Sequence, residues 1–251
     1  MTYLRALWAE QLKVKRTLAL WLAPIAPLVI VGMQMAMIMD RPEYYQGNPT
    51  GIWQGYGQQI VMLWGLMMLP LFITLETALL SNLEHTNQQW KHLFALPLPR
   101  GAVYMAKQIS SMAIIGLSMV ALYGWIVVGG LLLGVLLPGL GFEQPVPWLL
   151  FARYVGISYL AGCLLISIHV WVGLRWHSFA LATAVGIAAV VVSLFVFESD
   201  YGKWFPWTLP GMALAAERQA LNVWPQLIAS GVGGLIVALV GAWNVCRRDV
   251  L

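Results

Sequence analysis

Charge is what this sequence has least of. Asp, Glu, Lys and Arg make up 10% of its 251 residues, against about 25% in an ordinary soluble domain. With 60% of the chain hydrophobic, that shortage excludes a soluble globular protein. Cysteine is nearly absent as well. Cys163 and Cys246 both lie in apolar runs, which leaves neither a disulfide framework nor a metal-ligand spacing. No Gly-x-x-x-x-Gly-Lys-Ser/Thr occurs, so the chain does not hydrolyse nucleotide through a P-loop, and there is no His-Glu-x-x-His. His85 and His92 would share a helix face, but Glu84 beside them does not complete a zinc site. The net charge of +4 is too small to point to nucleic acid.

What the chain has in abundance is long apolar runs. A membrane-spanning helix needs roughly 20 mainly apolar residues. Six segments meet that length, near 18–39, 59–81, 108–136, 150–174, 178–197 and 227–246. Thirteen tryptophans suit a protein with two membrane–water interfaces. The expected fold is therefore an all-α integral membrane protein, a single transmembrane domain over 1–251 with no internal repeat. The stretch 108–142 carries no charge and exceeds one crossing, an excess that tilt or a helical extension towards Pro138 would absorb. Arg175–His177 is so short a connection that spans four and five read as an antiparallel hairpin.

Residues 1–17 lack a cleavage site and lead straight into the first span. Leu4, Leu7, Trp8 and Leu12 recur at spacings of three and four, while Arg5, Lys13, Lys15 and Arg16 take other positions. That pattern predicts a basic amphipathic helix lying in the interface. A plain charge cluster that sets topology is the alternative. With the N-terminus inside, the inner loops carry Arg5, Lys13, Lys15, Arg16, Lys91, Arg100, Lys107, Arg175, Arg247 and Arg248, and the outer ones only Arg41, Arg153, Lys203 and Arg218. The positive-inside rule then places both termini in the cytoplasm.

Two connections stand out. Residues 198–226 form an outer loop that is strongly apolar around Trp204-Phe205-Pro206-Trp207-Thr208-Leu209-Pro210-Gly211. A short helical hairpin dipping back into the outer leaflet would have that composition, and so would an aromatic-belt loop lying flat. Residues 82–107 are the reverse, polar with a basic excess, starting like a helix and stopped by Pro97 and Pro99. On the inner side, such a segment presents a face to something soluble.

Ionisable residues inside a bilayer are costly and are functional candidates by default. Here they are Glu76, Arg153 and His169. Proton-coupled carriers need carboxylates near the midplane, and the span centres are almost bare of them. That argues for a machine powered from outside the chain. Ser158 follows Gly156 within a span, but Tyr159 and Leu160 come next and His169 lies on the same helix three turns away. Intramembrane proteolysis is a poor fit.

The pattern Glu84 … Lys91 … Leu96-Pro97-Leu98-Pro99-Arg100 … Lys107 resembles the cytoplasmic loop between spans two and three of ABC-2-type transporter permeases, with the closest look to the lantibiotic-immunity branch. Phe205-Pro206-Trp207-Thr208-Leu209-Pro210 corresponds to the Pro-Trp stretch that those permeases carry before the last span. The likeness covers the whole chain in architecture, and about 25 residues carry the motif.

The resemblance implies a cytoplasmic coupling helix that binds a separate ABC ATPase, expected in two copies, and a second permease, identical or homologous, across the transport path. Glu84 would open that helix. Trp90 and Leu93, with Phe94 and Pro97 on the same stripe, would anchor it in a groove of the ATPase, and Lys91 would sit on the rim. Arg100 and Lys107 would hold the segment to span three and to lipid phosphates. His85, Asn87, Gln88 and Gln89 depart from the family pattern.

ATP and Mg would reside on the partner, with no cofactor on this chain. Trp64, Met67, Met68 and Trp171 are the candidate contacts for a hydrophobic or amphipathic cargo such as a peptide antibiotic, a drug or a lipid-like molecule. The setting would be a bacterial cytoplasmic membrane, and the role antibiotic resistance or immunity. The competing expectation is a membrane-embedded enzyme or a non-transporting scaffold.

Overall fold

The computed structural model describes residues 2–15, 17–45, 51–86, 99–176 and 178–247. The helices are α1 (Thr2–Val14), α2 (Leu18–Asp40), α3 (Ile52–Leu63), α4 (Leu69–Thr86), α5 (Arg100–Leu136), α6 (Trp148–Arg175), α7 (Phe179–Val196), α8 (Leu209–Arg218) and α9 (Trp224–Arg247). A π-helical turn, Trp64–Met68, joins α3 to α4 into one continuous rod. Six helices are long and apolar enough to cross a membrane: Leu18–Asp40, Ile52–Asn82, Gly101–Leu136, Trp148–Arg175, Phe179–Val196 and Trp224–Arg247. The chain is an all-α integral membrane protein with six spans.

Two helices begin earlier than hydropathy suggests. Span two starts at Ile52 rather than near 59 because its polar residues find partners inside the protein. Gln34 of α2 donates to Tyr45 at 3.0 Å and to Gln59, and Gln58 donates to the Tyr154 hydroxyl at 2.8 Å. In apolar surroundings such pairing removes the penalty of an unsatisfied amide. The Ile52 end is closed by an aromatic cluster. Trp53 packs edge-on against Phe142 at 5.2 Å, and its indole shares its proton between the Phe142 and Gln144 carbonyls. Gly130 leaves the room this needs, since a Cβ there would overlap the Trp53 ring.

Helix α5 begins at Arg100 rather than 108 and runs for 37 residues, about 55 Å against a hydrocarbon thickness near 30 Å. Pro99 sits at its N-cap, and the Pro99 carbonyl accepts from Ala102 at 2.8 Å. Eight of the extra residues lie before Gln108, at the end nearest α1, and the stretch 108–136, about 43 Å long, still exceeds one crossing and ends two residues before Pro138.

The remaining spans pack through small residues. On α9, Ser230, Gly234, Ala238 and Gly241 are the buried face, a small-residue stripe that lets two helices approach closely. The Ser230 hydroxyl donates to the Ala161 carbonyl at 2.8 Å and accepts from the Leu164 amide at 3.0 Å. The opposite face, with Ile228, Leu235, Leu239 and Trp243, is exposed. Between α7 and α9 the chain makes a 3-10 turn at Asp200–Lys203 and the ten-residue α8. Pro210 and Leu214 of α8 lie against Gly65, thirteen residues from the Ile52 end of span two, or about 20 Å along it. This segment packs against the flanks of spans two and four.

Candidate functional site

The described ends of the 82–107 segment continue the spans. Helix α4 reaches Thr86 and Arg100 opens α5. Trp90, Lys91, Leu93, Phe94 and Pro97 lie outside the described residues, as do the side chains of Glu84 and Arg100. Lys107 is described, and it is turned inward. With 1% of its surface exposed, it has no access to lipid phosphates. Its Nζ lies 3.3 Å from a carboxylate oxygen of Glu10 on α1 and donates at 3.0 Å to the Leu80 carbonyl of α4. The other Glu10 oxygen accepts from Lys13 at 3.1 Å. Three helices thus meet at one ammonium group.

The pairing follows from how α1 lies. Ala6, Glu10 and Val14, four residues apart, are buried, and Ala6 packs against Ala102 and Ala106 of α5. Trp8 and Leu12 point the other way, 68% and 62% exposed. The helix has Ala6, Glu10 and Val14 on the protein, Leu7 partly buried beside them, and Trp8 and Leu12 free. Burial by itself would raise the Glu10 carboxyl, but the charges of Lys107 and Lys13, with their hydrogen bonds, outweigh it and hold it below the ordinary carboxylate value. Sequence reasoning missed Glu10. The available signal was a single acid in a basic helix, four residues after Ala6 and three before Lys13.

A second cluster gathers around His169 of α6. Its Nε2 lies 3.2 Å from the Thr74 hydroxyl, and that hydroxyl donates its one proton to the Pro70 carbonyl at 2.8 Å. The imidazole must then be the donor to Thr74, so Nε2 carries a proton. Trp207 stands edge-on to the ring at 5.6 Å, and Gly186 of α7 closes the fourth side, where a Cβ would strike Thr74 and His169. His169 is therefore committed to a contact between helices. Ser158 lies elsewhere, buried beside Gly65, and the two do not form a nucleophile–base pair. Glu76 is fully buried, and neither carboxylate oxygen has a hydrogen-bond partner among the described residues.

The π-helical turn holds three of the residues singled out for cargo. Trp64 is buried within the chain against Phe72, ring centres 5.9 Å apart, while Met67 and Met68 are half-buried. Trp171 is half-buried on α6. At the other end of the molecule Arg153 of α6 grips Glu217 of α8 through its Nε and Nη2. Among the described residues no group of three or more His, Cys, Asp or Glu could hold a metal ion.

No curated protein matches the chain. The family model described as "ABC-2 family transporter protein" matches residues 6–195, which takes in most of α1, the first four spans, all but the last residue of the fifth, and both ends of the polar segment. The chain belongs to the ABC-2 transporter family.

Proposed function

We propose that this permease is the membrane-spanning subunit of an ATP-driven exporter, moving a hydrophobic or amphipathic substrate such as a peptide antibiotic, drug or lipid-like molecule. The observation that carries the reading is the construction of the polar segment. Helices α4 and α5 both run on past the apolar spans, to Thr86 and from Arg100. Residues 87–99 thereby join two continuous rods. A partner that displaces this segment moves both spans.

In this reading an ABC ATPase, in two copies, supplies the force and holds ATP and Mg, and this chain binds no cofactor. Glu84, Trp90, Lys91, Leu93, Phe94, Pro97 and Arg100 make the coupling segment, with Lys107 behind it. Two permeases, identical or homologous, face each other around the path in a bacterial cytoplasmic membrane. Both termini are cytoplasmic, and the type is that of the lantibiotic-immunity branch. Residues 198–226 dip into the outer leaflet. Half-buried Met67, Met68 and Trp171 would meet cargo in this reading, where thioether side chains adapt cheaply to shape, and Trp64 would meet it only if span two turned.

The test is purification with and without a tagged ABC ATPase from the same genome. The chain alone should hydrolyse no ATP, and the pair should survive detergent as a complex. Vanadate-sensitive turnover by the isolated chain would overturn the reading.

A further inference from the structure

The contact between Lys107 and Leu80 closes the base of the hairpin that carries residues 87–99. Leu80 lies six residues before the end of α4 and Lys107 seven after the start of α5, so each helix extends about 10 Å beyond the contact. Glu10 adds α1 to the same point. A buried ion pair is weak evidence for stability, since well-packed apolar residues of similar volume often do as well or better. A methionine at 107 would fill the space, and alanines 6, 102 and 106 already bring α1 against α5. What Lys107 provides and a methionine does not is a simultaneous bond to a carbonyl on one helix and a carboxylate on another.

We propose that Lys107 is the pivot of this hairpin, a positioning residue that delivers any displacement of residues 87–99 jointly to spans two and three and, through Glu10, to α1. It rests on the transporter reading above. The extensions of α4 and α5 are the arm on one side of the pivot, and the spans are the arm on the other. Without the bond to Leu80 the two helices would splay when pushed, and movement of the segment would be absorbed at the base.

Two variants separate this role from simple docking of α1. Lys107→Met removes the bonds to Glu10 and Leu80. The exchange Glu10→Lys with Lys107→Glu restores an ion pair between α1 and α5, but a carboxylate at 107 cannot donate to the Leu80 carbonyl. Each is made in a chain with Cys163→Ala and Cys246→Ser. Disulfide formation between cysteines placed at Ala6 and Ala102 reports docking of α1 and needs no ATPase. With the ATPase bound in nanodiscs, the change on adding ATP and vanadate in maleimide labelling of a cysteine at Tyr201, which is 81% exposed, reports movement at the far end.

The exchange should keep the Ala6–Ala102 crosslink, the bound ATPase and its hydrolysis, while the ATP-driven change at Tyr201 falls at least tenfold. Lys107→Met should lose the change at Tyr201 as well. A full response in the exchange variant overturns the pivot and leaves the transporter reading standing. Failure of the unexchanged chain to bind an ATPase overturns that reading, and the pivot with it.

Discussion

Arg153 and Glu217 meet as a fork on a carboxylate, Nε to Oε1 at 2.8 Å and Nη2 to Oε2 at 3.0 Å, but the two partners are not equivalent. The arginine side chain is 62% exposed and the glutamate 10%. Removing the arginine strands a nearly buried carboxylate, whereas removing the glutamate leaves a cation that water can solvate. Arg153→Ala should therefore cost about 1–3 kcal/mol, the desolvation of an unpaired buried group, and Glu217→Ala less than about 1 kcal/mol. Thermal unfolding in detergent measures the difference. Equal losses would show that the pair acts only through its mutual attraction.

The Glu10 site responds to pH in one direction. Its carboxyl is held below the ordinary carboxylate value in the folded protein, so its contribution is fully present above the unfolded value near 4.5 and is lost as pH falls through the depressed folded value. The difference in thermal stability in detergent between the chain and Glu10→Gln should be constant from neutral pH down to that range and shrink only below it. Glu10→Gln removes the titrating group and should lower stability at neutral pH, because it breaks the ion pair between α1 and the buried Lys107. Shrinkage of that difference already between pH 7 and 6 would contradict the assignment to Glu10.

Helices α6 and α9 separate two kinds of tight contact. A Cβ at Gly234 would lie 3.1 Å from the backbone of Cys163 and Leu164, which has nowhere to move. Gly234→Val should cost about 1–3 kcal/mol by overpacking. Ser230→Ala should cost only about 0.6 kcal/mol, the average for an interhelical hydrogen bond in a membrane. Unfolding of the two variants in mixed micelles orders them. If Ser230→Ala were the more damaging, the hydrogen bonds and not the close approach would hold these spans together.

For the coupling segment, Trp90→Ala separates docking from lipid contact. A tryptophan anchor should account for about 2 kcal/mol or more of ATPase binding, so recovery of a tagged ATPase should fall sharply while insertion is unchanged. Equal recovery would place the docking face around Thr86, Gln89 and Lys91.

The spans were legible because length and apolar content suffice to mark them, as the agreement over α2, α6, α7 and α9 shows. Their interior polar residues were not. Gln58 and Gln59 lowered the local hydropathy enough to hide the first turns of span two, since sequence alone does not reveal that Tyr154, Gln34 and Tyr45 await them. Lys107 was expected to face lipid for the same reason. A lysine flanking a span looks the same whether it faces phosphate or a carboxylate ninety-seven positions away in the chain. Glu217, which holds Arg153, is likewise invisible to any local pattern.

The π-helical turn, Trp64-Gly65-Leu66-Met67-Met68, leaves no mark on composition, but it sets the angular registry of everything that follows. A π turn contains about one residue more than an α turn. Drawing that residue back into regular helix would rotate Leu69–Thr86 by about 100° about its own axis, with a change in length near 1.5 Å. Span two is in this sense a two-part shaft with a keyed joint. The lower part presents Thr74 to His169 and Leu80 to Lys107 only in one setting of the key. Forcing 64–68 into regular α-helix without removing a residue would leave the length of the span almost untouched and turn those faces away from their partners, whereas deleting one residue there would keep them aligned.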